Sequence, residues 1–481
     1  MPGRKRLEFT FLASLVTIFK YTSELTLPFT ITAMSSPQDG GTVESVCTLN
    51  GSVPVENAGK SGNNDFAWTD EQYGNILGAF FIGYSISTIG SAFATQKYGF
   101  YPLIKVLCFG SATTTLLFPF VVRRSYQLGC LLRVLLGIFS GPYVPALQGS
   151  WYWWGIPSEL TTNIAIQSAG VTIGNILGSV GSGMIIDSFG WEYCYYVAGT
   201  CQIFVGLLWA AMVDPKPDRE REAFGFCGIK KLKISSRMSK EEKSLIKHSR
   251  PASLLTTELR DIPFRSIIID PQVLLALLGL FSFNLIMSST ISVPTYLTRA
   301  FGLPLSIVTY VFGTVALGCL IASLPSALIV DKLRKKYSTT FVRKSMIVFF
   351  WILMLPSVCC IKIFGCNFVG VSVLFSIYII STAACGIAGI LPIAAELSAN
   401  FGPIVTGFAG GIGNFAGFAS TSLMVYLLKD KNQDDPANWN QFFVAPVGFF
   451  TVFMGFFLAF GKIEVRPWAK KRTTNFPFLL K

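Results

Sequence analysis

Long apolar runs alternate with shorter polar stretches along the whole 481-residue chain. Several runs exceed about 18 residues, the length an α-helix needs to cross roughly 30 Å of hydrocarbon. The pattern predicts twelve spans, at about Phe9–Met34, Asp70–Thr95, Leu103–Val122, Gln127–Ser150, Asn163–Ile186, Gly190–Val213, Pro271–Tyr296, Leu305–Val330, Met346–Ile363, Phe368–Ile393, Pro403–Leu428 and Phe442–Phe460. Two polar stretches are longer than a turn, Ser35–Thr69 and Asp214–Asp270. The second divides the chain into near-equal parts, so the expected organisation is an N-terminal six-helix bundle (1–213), a linker (214–270) and a C-terminal six-helix bundle with its tail (271–481). The fold class predicted is an all-α polytopic membrane protein.

Residues that interrupt the apolar pattern carry the next information. Arg133 stands near the middle of Gln127–Ser150, where inserting a guanidinium costs about 2.5–3.5 kcal/mol. Gly137 and Ser140 follow at i+4 and i+7, so a cation and two small residues share one helical stripe. Either that stripe lines a polar cavity, or the arginine snorkels to the membrane surface. Lys20 and Glu24 interrupt the first span at i,i+4. They form an intrahelical ion pair, or Glu24 lines the cavity with Arg133. Gly170, Gly174 and Gly178 recur every four residues, a close-packing face beside which Gln167 and Asn175 offer polar groups. Gly407, Gly410, Gly411, Gly413 and Gly417 repeat the theme late in the chain. Trp151-Tyr152-Trp153-Trp154 reads as an interfacial aromatic belt. Thr69 to Gln72 reads as a capping box opening the second helix.

Composition agrees with a membrane-embedded chain: 51% hydrophobic, 14% charged, mean hydropathy +0.53. The net charge of +13 therefore concerns orientation rather than nucleic acid. Asp214–Asp270 holds thirteen Lys or Arg and Ser35–Thr69 only Lys60, which places both termini in the cytosol. The basic start Gly3–Arg6 is not read as a signal peptide, because Lys20 and Glu24 break its apolar core and no A-x-A site follows. Asn50-Gly51-Ser52 is a glycosylation sequon in the longest non-cytosolic loop. Ser235, Ser236 and Ser239 in the basic linker are candidate phosphorylation sites by residue type, with no motif that singles one out. Eleven cysteines without C-x-x-C spacing, and one histidine (His248, in a charged loop), exclude a zinc site and a Cys–His nucleophile. Cys47 and Cys366 fall on the same non-cytosolic side but are expected to stay unbridged; Cys359-Cys360 reads as lipid-facing. The glycines follow helix-packing spacing, not that of a phosphate loop, so an enzyme is not expected.

Several motifs then resemble one known group. They are Trp68 with Phe80-Phe81-Ile82-Gly83-Tyr84; Arg133, Gly137, Ser140, Gly141 and Pro145; and Gly190-Trp191 with Tyr195-Tyr196. The most specific is Asp331-Lys332-Leu333-Arg334 followed by Ser338-Thr339-Thr340-Phe341-Val342-Arg343-Lys344. Glu396 and Glu464-Val465-Arg466-Pro467-Trp468-Ala469 extend the match. Over essentially its whole length the chain resembles the anion/cation symporters of the major facilitator superfamily, which include vesicular glutamate transporters, sialin and sodium–phosphate cotransporters.

The resemblance implies two six-helix bundles and transport of small anions by alternating access, with the site near mid-membrane between the halves. It gives Arg133 the role of anion binding or coupling. Residues of this chain depart from the family's charged apparatus: Ser140 replaces an acid, Glu24 stands where helix 1 carries arginine, Leu77 replaces a histidine and Ser282 an arginine. With Arg133 left and no second arginine beside it, a monoanion, a zwitterion or a neutral solute suits the site better than a dianion. The substrate-binding set expected is Arg133, Glu24, Lys20, Tyr84, Ser140, Asn175 and Ser282, with gating by Lys97, Asp331 and Arg334. No cofactor is expected, and the coupling ion is H+ or Na+, or the membrane potential drives transport. The partners expected are a small anionic solute and the bilayer, with no nucleic acid, and the chain acts as a monomer in a plasma, vesicular or lysosomal membrane. Alternatives are a same-fold carrier of a neutral or zwitterionic solute, or a receptor-like member that no longer transports.

Overall fold

The computed structural model describes residues 4–34, 66, 68–155, 160–215, 234–235, 238–249, 263–398, 401–429, 431, 433 and 435–470. Asn50, Cys47 and Ser236, and the side chain of His248, lie outside the described residues.

The chain begins with α1 (Arg4–Met34), α2 (Asp70–Tyr98), α3 (Phe100–Arg124), α4 (Tyr126–Ser140) and α5 (Tyr143–Trp154). It continues with α6 (Leu160–Ile176), α7 (Ser182–Phe189) and α8 (Trp191–Met212). After the linker helix α9 (Lys240–Ser249) come α10 (Phe264–Ile269), α11 (Pro271–Ser289), α12 (Val293–Phe301), α13 (Leu305–Arg334) and α14 (Thr339–Phe364). The last are α15 (Phe368–Cys385), α16 (Ile393–Ser398), α17 (Gly402–Leu428), α18 (Pro436–Phe460) and the short α19 (Pro467–Lys470). Among the described residues ten helical runs are long and apolar enough to cross a membrane. The helices α1 and α2, of 31 and 29 residues, are as long but more polar, because they carry Lys20, Glu24 and rows of Ser and Thr.

Local chemistry explains the boundaries. Thr69 caps α2 and Gln72 returns the bond to the Thr69 N–H at 3.0 Å, the expected capping box. Ser338, Asn367 and Asp435 cap α14, α15 and α18 with a side-chain oxygen that accepts one backbone N–H, which starts α14 and α18 earlier than the apolar pattern alone predicts. Gly99, with φ of 82°, turns the chain from α2 into α3. The predicted continuous helix Gln127–Ser150 is broken at Gly141-Pro142, since Pro142 has no N–H to continue the ladder. A π-turn at Leu177–Gly181 joins α6 to α7, and another at Gly386–Ile390 follows α15.

Helices α1 to α8 pack chiefly on one another, and so do α11 to α18. Contact between the two groups is greatest where α2 runs antiparallel along α17, and glycines set the closeness. A Cβ added at Gly78 would sit 2.6 Å from Thr421 Oγ1, and one at Gly411 3.0 Å from Ser85 O. Gly74 and Gly417 are pressed likewise against Val425 and Phe81. A second seam joins α6 and α7 to α13, where Gly183 meets Thr309, and Phe29 of α1 meets Phe312 edge-on at 5.4 Å.

Two expectations need correction. The Trp151–Trp154 run is not an interfacial belt: Trp154 is 1% exposed and stacks on Phe9 at 4.5 Å, while Trp151 meets the same ring edge-on. The Trp154 indole donates to the Asp214 carbonyl at 3.1 Å. Linker residues Ile234, Met238 and Ile246 bury in the same cluster, so the linker covers what would otherwise be a membrane-surface face. Cys366 is disulfide-bonded, against expectation, and its partner lies outside the described residues. Cys359 is exposed and Cys360 half-buried.

Candidate functional site

The lysine that interrupts the apolar run of α1 is among the most buried residues of the helix. Lys20 is 2% exposed, and its ammonium pairs with Glu24 Oε2 at 2.8 Å, so the i,i+4 ion pair forms. Three tyrosine rings surround that ammonium: Tyr21 at 4.0 Å, Tyr143 at 5.0 Å and Tyr84 at 5.2 Å. Ring faces present negative potential to a cation, which offsets part of its lost hydration. Tyr143 opens α5 just after the Gly141-Pro142 break, and its hydroxyl donates to Thr17 at 2.6 Å and accepts from Gln167 at 3.2 Å. The break thus aims a ring that a continuous helix would have turned elsewhere.

Arg133 is 4% exposed and does not snorkel. Its guanidinium lies 5.2 Å from the centre of the Phe80 ring, which stacks on Tyr84 at 5.3 Å. Phe80 and Tyr84, one turn apart on α2, therefore form an aromatic step between the two buried cations. Arg133 also lies within Coulombic range of Glu24 and Tyr195. Tyr195 stacks on Phe118 and shares a hydrogen bond with Thr30 at 2.8 Å. Two side-chain atoms of the cluster, Glu24 Oε1 and Arg133 Nε, are buried without a hydrogen-bond partner among the described residues. Close approach of α4 to α2 brings this about: Gly137 packs on the Phe80 carbonyl, Gly83 on the Val134 carbonyl and Gly141 on Ser87. The glycine stripe of α6 packs on α1 in the same manner, with Gly170 against Ser14, Gly174 against Tyr21 and Gly178 against Leu25.

The other predicted residues scatter. Ser140 is buried at the end of α4, two turns from Arg133 on the same stripe. Asn175 is half-buried, and its carbonyl accepts from Ser179 at 2.8 Å. Ser282 is wholly buried on α11 and its hydroxyl is satisfied within that helix, by Gly279 O at 3.0 Å. Sequence reasoning passed over Tyr21 and Tyr143 and named Phe80 and Tyr195 only as motif residues, not as members of the site, because an aromatic in a membrane span reads as packing.

Of the predicted gating residues, Lys97 reaches the ring of its neighbour Tyr98 and Asp331 is exposed. Arg334 pairs with Glu396 at 3.0 Å. Glu396 is held more firmly by Arg343, through Nη2 at 2.7 Å and Nε at 3.3 Å, while Arg343 Nη1 donates to Ala388 O at 2.5 Å. Nearby, Asp270 caps α11 and accepts from Arg466 at 2.7 Å and Trp468 at 3.0 Å. Burial alone would raise its pKa, but these bonds and the Arg466 charge outweigh that and hold the carboxyl below its ordinary 3.8. At the opposite ends of the helices, Arg299 of α12 pairs with Asp70 of α2 at 3.7 Å, lies over the Tyr73 ring and bonds Gln433; Tyr73 also bonds Thr295.

These features define a class: a polytopic helical membrane protein of two groups of helices, with charge buried inside the first. The chain belongs to the Major Facilitator Superfamily, which it matches over residues 13–425. It is similar to the uncharacterized transporter slc-17.2 of Caenorhabditis elegans (28% identity, 87% of this chain and 83% of that one). It is also similar to human sialin (25%; 87% and 81%) and to vesicular glutamate transporter 1 of Bos taurus (23%; 84% and 70%). The crystal structure of a D-xylose-proton symporter shares the fold, with TM-score 0.62 over 95% of this chain and 98% of that one at 12% identity. The protein is a multi-pass membrane transporter of this superfamily, not an enzyme.

Proposed function

We propose that the protein is a secondary active transporter of small organic or inorganic monoanions, working by alternating access between residues 1–213 and 271–481. The observation that carries this reading is the charge balance of the buried site. Lys20 and Arg133 are desolvated together against one carboxylate, Glu24, leaving one positive charge for the solute to neutralise. The Phe80–Tyr84 step offers an apolar wall beside it. A relative named for glutamate supports an anionic solute, as does one named for sodium-dependent phosphate transport.

In this mechanism the anion replaces part of the hydration that Arg133 lost on burial, and Glu24 fixes Lys20 until the solute arrives. Coupling to H+, Na+ or the membrane potential follows from which charge accompanies the solute. The contacts Asp70–Arg299 and Tyr73–Thr295 close the site toward one face, and the Arg334–Glu396–Arg343 cluster, with Lys97 and Asp331, shapes the other. The basic linker and tail orient both termini to the cytosol. Asn50 then lies on the non-cytosolic side, where glycosylation occurs, and the chain functions as a monomer in a plasma, vesicular or lysosomal membrane.

Uptake by the purified protein in proteoliposomes, against a panel of monoanions, dianions, zwitterions and neutral solutes, tests the reading. Saturable monoanion uptake that falls at least tenfold in Arg133→Ala is expected. Uptake confined to neutral or zwitterionic solutes, or no uptake from any imposed gradient, would replace it with one of the alternative readings.

A further inference from the structure

Behind the charged site, where α1, α3 and α8 meet, three polar side-chain atoms have no hydrogen-bond partner among the described residues. They are Gln202 Nε2, Ser111 Oγ and Thr115 Oγ1, on residues 2%, 1% and 2% exposed. The packing of the two helices fixes how these residues face each other. Phe118 of α3 stacks on Tyr195 of α8, ring centres 4.8 Å apart. A Cβ at Gly199 would lie 3.2 Å from Ala112 O, and one at Gly206 2.9 Å from Cys108 Cβ. The helices are therefore antiparallel, in a register that sets Gln202 opposite Ser111 with Thr115 one turn away. Ser111 and Thr115 share the α3 stripe that carries Phe118, and Gln202 shares the α8 stripe that carries Tyr195. From the third side Ser23 of α1 donates to Gln202 Oε1 at 2.9 Å.

Folded interiors pair the large majority of such atoms, and three left unpaired on facing stripes of adjacent helices call for a common partner. What they require is set by their chemistry. The Gln202 amide offers an N–H, which repels a cation and demands an acceptor; the two hydroxyls each donate and accept. Water meets all three demands, and a buried water makes about three hydrogen bonds. We propose that α1, α3 and α8 enclose a water-binding site at Ser111, Thr115 and Gln202. Water there completes the bonding of Gln202, which holds Ser23 and so seats the turn of α1 that carries Lys20 and Glu24. This site is independent of the substrate reading and exists whatever solute is carried.

A cryo-EM map of the full chain in lipid nanodiscs, at a resolution that shows solvent, is the direct test. Solvent density is expected within about 3.2 Å of at least two of the three atoms. Thermal melts supply a second measurement. Gln202→Leu is expected to lower the melting temperature by about 2 °C, and adding Ser111→Ala and Thr115→Val to recover part of it, since the hydroxyls no longer need water. Ser111 and Thr115 bonded instead to carbonyls of their own helix, with no density between the helices and strictly additive melts, would overturn the site. A reversed Gln202 amide would present oxygen and suit a cation; melts that rise in sodium but not in choline chloride at equal ionic strength would overturn the assignment to water.

Discussion

Burying Lys20 and Glu24 together costs less free energy than burying either alone, and that asymmetry separates structure from transport at this pair. Glu24→Gln leaves the Lys20 ammonium with its tyrosine rings but no counter-charge, and is expected to destabilise by about 3–5 kcal/mol. Lys20→Met strands a carboxylate that is partly exposed, and should cost less. The double variant removes both charges and is expected to melt near the native protein. The double variant leaves the net charge of the site unchanged. Uptake retained would therefore mean that Arg133 alone holds the solute and the pair is structural. Uptake lost despite recovered stability would mean that the solute also engages Lys20. Asp270 offers a pH test at the same scale. Its carboxyl is held below the ordinary 3.8, so the stabilisation it contributes is fully present above that value and lost as pH falls through the lower folded value. Melting temperature followed downward from pH 5 should fall in the native protein more steeply than in Asp270→Asn, and parallel curves would show that the clamp to Arg466 and Trp468 contributes nothing. Charged members of the site were legible in the sequence because an ionisable residue inside an apolar run is an energetic anomaly wherever it folds. Their surroundings were not. Tyr143 reaches Lys20 only because Gly141-Pro142 breaks the helix, and Arg343 finds Glu396 across 53 residues, so neither contact has a local signal. Ser282 was assigned through resemblance alone, and it proves to be satisfied within its own helix.

Helix by helix, the sequence pattern located the spans because hydrocarbon thickness dictates their length, and it failed where a polar residue rather than hydrophobicity sets the boundary. Ser338 and Asp435 extend α14 and α18 beyond their apolar cores through caps. The glycine stripes carried a further prediction, close helix approach, and the contacts at Gly170, Gly174 and Gly178 fulfil it. At Gly137 the approach is to backbone, which cannot swing aside as a side chain does. Gly137→Ala must therefore part α4 from α2, at a cost of about 1–3 kcal/mol. Because Arg133 rides on α4 one turn earlier, the same change should also weaken uptake by lifting the guanidinium from Phe80. Gly455 supplies the control, since a Cβ there meets nothing within 4 Å. Gly455→Ala gains helix propensity and is expected to be stabilising by about 0.5–1 kcal/mol. Melting temperatures that move in the same direction for both variants would show that the α2–α4 seam tolerates more space than its geometry implies.

Across the whole molecule the two helix groups touch along α2–α17 and α6–α13, and alternating access requires these contacts to be strong enough to hold and weak enough to part. The polar ties at the Asp70 end fit that requirement. Arg299 and Asp70 are 27% and 53% exposed, so water screens their attraction and the pair contributes at most about 1 kcal/mol, a roughly fivefold bias between closed and open forms. Arg299 gave no signal in the sequence because a basic residue at a helix end is ordinary; only the fold sets it against Asp70, 229 residues earlier in the numbering of the chain. Arg299→Glu turns that attraction into repulsion and leaves Tyr73 without its cation. Spin labels placed on α2 and α12 should then report a larger share of long distances at this face, by up to about fivefold in the open-to-closed ratio. Adding Asp70→Arg restores opposite charges in reversed order and should return most of the short-distance population, which a merely unfolded or loosened variant could not do. Distances unchanged by either substitution would mean that glycine packing along α2 and α17 alone closes this face, and that the ion pair follows the closure without biasing it.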